Sequence, residues 1–260
     1  MSPSDTAGGA NPLADKLAAQ ASAPRMKRFY TAAGVGSGEA GGFRIELDGR
    51  PVRTPGRRVI DVPVRALAEA MAEEWAAQGA FIDPLTMPVT RLVNAALDGV
   101  EPRRAEVAAE VVKYAGSDLL CYRADTPAAL VDLQRELWDP LLDWARDEIG
   151  ATFFLSAGIL YVEQPARSLE AIAAYLPQDA LQLAALNLMT TLSGSSLLAL
   201  AVWRGRLTAT QAWRAAHIDE EVQEQLWGAD AEAVQRRATR FRDFAAAALT
   251  LDILERSGRS

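Results

Sequence analysis

The feature that most restricts this chain is the run from Ala180 to Trp203, in which no residue carries a charge. Such a run is long enough to span a bilayer. Gln182, Asn187, Thr190, Thr191, Ser193, Ser195 and Ser196 interrupt it, however, and a helix that is apolar on every side is also what the centre of a helical domain requires. The buried helix is the better reading, and it demands other helices to surround it. Ser193-Gly194-Ser195-Ser196 then supplies small residues that let a neighbouring helix approach closely.

The remainder of the chain divides into three parts. Residues 1–24 are rich in Ala, Ser, Gly and Pro, carry no apolar stretch of signal-peptide length, and read as a disordered tail on a cytoplasmic protein. Residues 25–100 begin with strand signals. Lys27 to Thr31 is one short run, and Phe43, Ile45 and Leu47 alternate with Arg44 and Glu46 in another, followed by a tight turn at Asp48-Gly49. Pro51 to Thr54 and Val59 to Val62 continue the pattern, and the glycines from Gly34 to Gly38 read as a flexible hairpin loop. A helix follows Pro63, with Leu67, Met71 and Trp75 at helical spacing, and another opens at Pro88.

Residues 101–260 read as a larger helical domain, with helix starts at Thr126-Pro127, near Leu169, and at Asp179, Thr208 and Asp230. Thr208 and Gln211 make a capping box, and Pro140 is expected to kink or restart its helix. Phe153 to Tyr161 are compatible with a returning β-hairpin around Gly158. The fold class is therefore α+β, a small β-rich N-terminal domain followed by a mostly helical one.

Charge and chemistry exclude more than they propose. With 27 Lys and Arg against 34 Asp and Glu, the net charge is -7, which disfavours electrostatic binding to nucleic acid or to anionic membrane. The sign is uneven: Arg25 to Arg65 holds nine positive and four negative residues, net +5, leaving about -12 for the rest. One Cys and one His preclude an internal disulfide and any zinc site of several thiolates or imidazoles. No phosphate-binding Gly-x-x-x-x-Gly-Lys-Ser/Thr motif is present, and no cofactor or metal is called for. An enzyme reading has to run through His217 with Asp219 or Glu220, as a hydrolase or transferase acting on a small molecule.

Taken as one helix, Thr208 to Trp227 places Gln211, Ala215, Ile218, Val222 and Leu226 on a core face. Trp213, Glu220, Glu224 and Trp227 fall on the opposite one. Two tryptophans facing away from the core stripe need a cover, either a second layer of this protein or a partner. The like charges of Glu220 and Glu224 find candidate neutralising partners in Arg236, Arg237 and Arg240.

Several motifs, in order, carry a resemblance. They are Arg28-Phe29-Tyr30, Leu47-Asp48-Gly49-Arg50-Pro51-Val52-Arg53-Thr54-Pro55, Glu74-Trp75 with Gln78, Ile82-Asp83-Pro84, Met87-Pro88 with Thr90, Trp138-Asp139-Pro140-Leu141-Leu142, and Asp219-Glu220 with Gln223 and Trp227-Gly228. Together they resemble the ATP12-type chaperones of F-type ATP synthase assembly, in a bacterial member. The resemblance implies a two-domain fold and a non-enzymatic, monomeric chaperone that binds the free alpha subunit and shields its interface until it pairs with beta. Carried over by motif, the contact residues are Asp219 and Glu220 first and Trp75 next, with Trp227 alongside; Glu221 and Glu224 join them from the helical projection.

Overall fold

The computed structural model describes Leu17, Gln20 and residues 26–258 apart from Ile159 and Ala229. It is an α+β structure. The first strands are β1 (Met26–Lys27), β2 (Ala33–Ser37), β3 (Phe43–Leu47), β4 (Arg50–Pro51) and β5 (Asp61–Val62). β3 pairs antiparallel with β2 along one edge and with β4 and β5 along the other. The alternation read from the sequence holds: Ile45 and Leu47 face the core while Arg44 pairs with Glu39 and Asp61. Asp48 and Gly49 both take positive φ, 48° and 76°, as the tight turn between β3 and β4 requires. The expected flexible loop over Gly34 to Gly38 is instead mostly strand β2. A Cβ at Gly36 would stand 2.2 Å from Glu46 Oε1, so glycine is what lets the two strands carry that carboxylate between them.

Helix α1 (Arg65–Ala76) lies on the sheet through Leu67, Ala68 and Met71. Strand β6 (Phe81–Ile82) returns to pair with β1. Helix α2 (Pro88–Ala95) begins at Pro88 as expected and continues into a π-type turn, Ala96–Val100. The N-terminus of α2 is capped from α1. The Glu74 carboxylate accepts from the amides of Val89 at 2.7 Å and Thr90 at 2.8 Å. Burial holds the Glu74 carboxyl above its ordinary range against the pull of Thr90, Val89 and Arg91.

The helical part comprises α3 (Arg104–Ala115), α4 (Ala128–Trp144), α5 (Ala166–Tyr175), α6 (Ala180–Ser193), α7 (Ser196–Trp203), α8 (Ala209–Ala216), α9 (Ile218–Trp227) and α10 (Ala231–Ser257). Two further short strands, β7 (Tyr122–Arg123) and β8 (Ser156–Ala157), pair in parallel. The hairpin expected around Gly158 is therefore not formed among the described residues. The amide of Phe154 donates to Gln164 Oε1 and its carbonyl accepts from Gln164 Nε2, so a side chain satisfies the backbone that a strand partner would have met. Helix α4 does not restart at Pro140. Trp138, Leu141 and Trp144 are buried along one face, and that packing outweighs the hydrogen bond Pro140 cannot make.

The uncharged run is buried, as two helices. It turns at Gly194, whose φ is 73°, and among the described residues no helix is long and apolar enough to cross a membrane. Helix α6 is enclosed by α3, α7, α10, α2 and the π-type turn. The serines thus serve the corner rather than a helix contact: Ser195 caps α7 by accepting from Leu198. Fully buried Asp118 braces the same corner, accepting from Ser196 Oγ at 3.0 Å and from the amides of Leu197 and Leu120 at 3.1 Å each.

Removing a buried acceptor strands each of its donors at about 1–3 kcal/mol apiece. Asp118→Ala is expected to lose about 3–5 kcal/mol of stability in urea unfolding; a loss under about 1 kcal/mol would mean that Asp118 does not hold the corner.

Candidate functional site

Most of the motif residues between Arg28 and Thr90, scattered through the sequence, line one open groove of about 920 Å³. Its volume lies in the range of sites that engulf a ligand of several hundred daltons or a short peptide stretch. The floor is apolar, with Tyr30, Leu47, Val52, Ile82 and Met87 buried, and Trp75 half-buried along one side. Met26 and Phe29 stand at the rim, 60% and 66% exposed.

Each motif has a positional reason. The Arg28 guanidinium donates to the carbonyls of Tyr30, Thr31 and Gln78 and lies 4.6 Å from the Tyr30 ring centre. Tyr30 meets Trp75 edge to face at 5.7 Å, and its hydroxyl donates to the Trp75 carbonyl at 2.7 Å. Buried Gln78 accepts from the Asp83 amide and donates to Thr86 Oγ1, fixing the turn that carries Ile82 and Pro84 into the wall. Asp98 receives Thr54 Oγ1 at 2.8 Å and the Gly56 amide at 2.7 Å, which tethers the β4 to β5 connection on the far side. These contacts form a rigid framework around an apolar floor. Such a groove receives apolar side chains and offers little for bond-making chemistry.

The acidic segment is arranged differently from the single helix expected. It breaks at His217, which ends α8 and precedes α9, so the projection from Thr208 to Trp227 does not hold across it. The predicted capping box of Thr208 and Gln211 is formed. Trp213, expected on an outward face, is buried: its ring centre lies 4.1 Å from that of His217, and 5.5 Å and 5.3 Å from those of Phe241 and Phe244 on α10. A second layer of the protein covers it. The side chain of Trp227 lies outside the described residues.

The carboxylates separate by role. Asp219 accepts from Gln134 Nε2 of α4 at 3.1 Å, Glu221 pairs with Arg214 at 3.1 Å, and Glu224 pairs with Arg237 of α10 at 2.5 Å. Glu220 is exposed and makes no ion pair or hydrogen bond among the described residues. The expectation that arginines of the last helix neutralise this face therefore holds for Glu224, through Arg237.

The enzyme reading loses its geometry here. His217 is 9% exposed, its Nδ1 is 2.8 Å from the Trp213 carbonyl and so carries the proton, and Asp219 turns to Gln134 instead of to the imidazole. Burial holds the His217 pKa below its ordinary 6.5, against the opposing pull of the Trp213 carbonyl and of Glu220. The one thiol is equally unsuited to nucleophilic work: burial, with Asp118 beside it, pushes Cys121 up to about 12.

Similar proteins decide the family. Residues 27–146 match the family described as ATP12 chaperone protein. The crystal structure of Atp12 from Paracoccus denitrificans is 42% identical, covers 87% of this chain and 97% of its own, and superposes with a TM-score of 0.81. The chain belongs to the ATP12 chaperone family. A chaperone candidate from Agrobacterium tumefaciens is 41% identical over 94% of this chain and 96% of its own, with a TM-score of 0.84. The mitochondrial protein atp12 of Schizosaccharomyces pombe is 26% identical over 79% of this chain and 75% of its own length. As an ATP12 family member the protein is a chaperone of F-type ATP synthase assembly. The groove could not be read from sequence, because its walls come from Gln20 and from segments between Met26 and Asp98, whose meeting depends on the fold. The signal present was the in-order motifs themselves.

A histidine held neutral by burial is protonated more readily in the unfolded chain. The stability it contributes is complete above about pH 6.5 and is lost progressively as the pH falls below that value towards the lower pKa of the folded state. Urea unfolding at pH 7.5 and 5.5 should show this loss in the native protein and a smaller one in His217→Gln; equal losses would contradict the assignment.

Proposed function

We propose that this chaperone binds the free alpha subunit of F-type ATP synthase, as a monomer in the bacterial cytoplasm, and performs no chemistry on it. The observation that carries the reading is the open apolar groove whose walls are built by the family's own motifs. An unpaired subunit exposes apolar interface that would otherwise self-associate, and a groove of this kind takes up part of such a surface. Because beta has to displace the chaperone later, the contact has to be exchangeable rather than obligate.

Glu220 supplies the polar contact. Of the four carboxylates on α9 proposed for the partner face, it alone can meet a cation of the client without breaking an internal contact among the described residues. Asp219, Glu221 and Glu224 act through it by holding the helix end in place. Trp75 forms the groove wall. Trp227, the last residue of α9, is proposed with them from the family motif alone. Mixed apolar and acidic recognition of this kind gives selectivity through charge and hold through burial.

The test offers purified alpha and beta subunits separately to the immobilised protein at two salt concentrations. Alpha is captured and beta is not; Phe29→Asp weakens capture at least tenfold, and Glu220→Lys weakens it several-fold, with the larger effect at low salt. Capture of neither subunit, or capture indifferent to both substitutions, would refute the proposal.

A further inference from the structure

The charges around the groove do not balance. Arg25 to Arg65 carries nine positive and four negative residues, and the four carboxylates are already placed. Glu39 and Asp61 meet Arg44, and Glu46 lies between β2 and β3 beside Gly36. Asp48, at the groove, accepts from the amides of Thr31 and Ala32, which together with Arg28 and Arg50 hold its carboxyl below the usual range. The other carboxylate lining the groove, Asp98, is occupied by Thr54 and Gly56.

The cations are left over. Arg50, Arg53, Arg57 and Arg58 are all exposed, and none forms an ion pair among the described residues. Arg50 makes no hydrogen bond among them either, while Arg53 gives one donor to the Arg57 carbonyl at 2.9 Å and Arg58 one to the Leu97 carbonyl. A guanidinium has five donors, so most of each fork is open to a partner. Arg57 even takes φ 67°, the left-handed region in which glycine is the comfortable residue. Arg50 and Arg53 line the groove itself, on either side of Val52, which is buried in the floor. Exposed guanidinium groups therefore stand directly beside an apolar surface.

That pairing selects a partner. A phosphate backbone would meet the arginines but leave the floor of Tyr30, Leu47, Val52, Ile82 and Met87 empty, and the chain as a whole carries -7. A polypeptide stretch that is apolar in the middle and acidic at its flank meets both. We propose that the client segment seated in the groove has this composition, with its carboxylates held by Arg50 and Arg53. The identity of the client rests on the reading given above; the chemistry of the groove does not. With Glu220 meeting a cation elsewhere on the client, the two polar contacts have opposite sign. A client that docks in reverse then meets like charge at both, which fixes its orientation.

The test is isothermal titration of the full-length protein with two synthetic peptides that share one apolar core of Leu, Val and Phe, one flanked by Asp and Glu and the other by Lys. The acidic peptide binds about tenfold more tightly than the basic one, and added salt narrows the gap. Phe29→Asp weakens both peptides. Arg50→Glu reduces the preference several-fold, and Arg50→Glu with Arg53→Glu abolishes or reverses it. Should circular dichroism show the double variant unfolded, Arg50→Glu alone decides, because that side chain makes no internal hydrogen bond or ion pair among the described residues. Equal binding of the two peptides, binding of neither, a preference that survives the substitutions, or tighter binding of a short single-stranded oligonucleotide than of the acidic peptide overturns the proposal. The titration contains no alpha subunit, so failure of the client reading leaves its result intact. Conversely, alpha capture that Phe29→Asp weakens and Arg50→Glu leaves unchanged keeps the client reading and overturns the acidic flank.

Discussion

A helix without a polar face cannot sit at a surface, and α6 is such a helix. Leu181, Leu183, Leu186, Leu188 and Met189 are all buried around its circumference, so neighbours have to close on it from every side. This requirement organises the helical part of the molecule. It also explains why the only sharp turn in the run is held by Asp118: a corner made deep in apolar surroundings leaves backbone amides that water cannot reach, and a buried carboxylate with several donors is one of the few groups able to satisfy them together.

The N-terminal part uses a second buried carboxylate for a different end. Glu74 spends its desolvation on the first amides of α2, and in doing so fixes the spacing between α1 and α2. Trp75 comes from the first of these helices and Arg91 from the second, so the width of the groove is set by that cap. The groove is consequently formed before any ligand arrives, which lowers the ordering cost of binding.

Local signals were legible in the sequence where one segment decides its own conformation. The capping box at Thr208, the Asp48-Gly49 turn, the cap at Asp179 and the alternation of β3 all appear where residue chemistry placed them. The failures share a cause, which is that a distant group overrides a local pattern. The projection across Thr208 to Trp227 assumed an unbroken helix, but Trp138 Nε1 donates to the Ala215 carbonyl from α4 and His217 turns its ring onto Trp213, and the segment breaks there. The glycine-rich stretch is strand because it pairs with β3, where Gly36 leaves room for Glu46, and the apparent hairpin beyond Ala151 is pre-empted by Gln164. For the candidate site, the residue types were legible and their grouping was not; the separation of Glu220 from its three occupied neighbours depends on Gln134, Arg214 and Arg237, each of which lies on another helix.

Helix α10 joins the two surfaces. Asp243 pairs with Arg91 at the groove, and Arg237, six residues earlier on the same helix, pairs with Glu224 at the acidic end. At 1.5 Å of rise per residue these anchors are about 9 Å apart along the axis. On the proposed function, a client that touched both surfaces would meet two points on one stiff rod, and once the first contact formed the second would be intramolecular. Two individually weak contacts then give a firm grip.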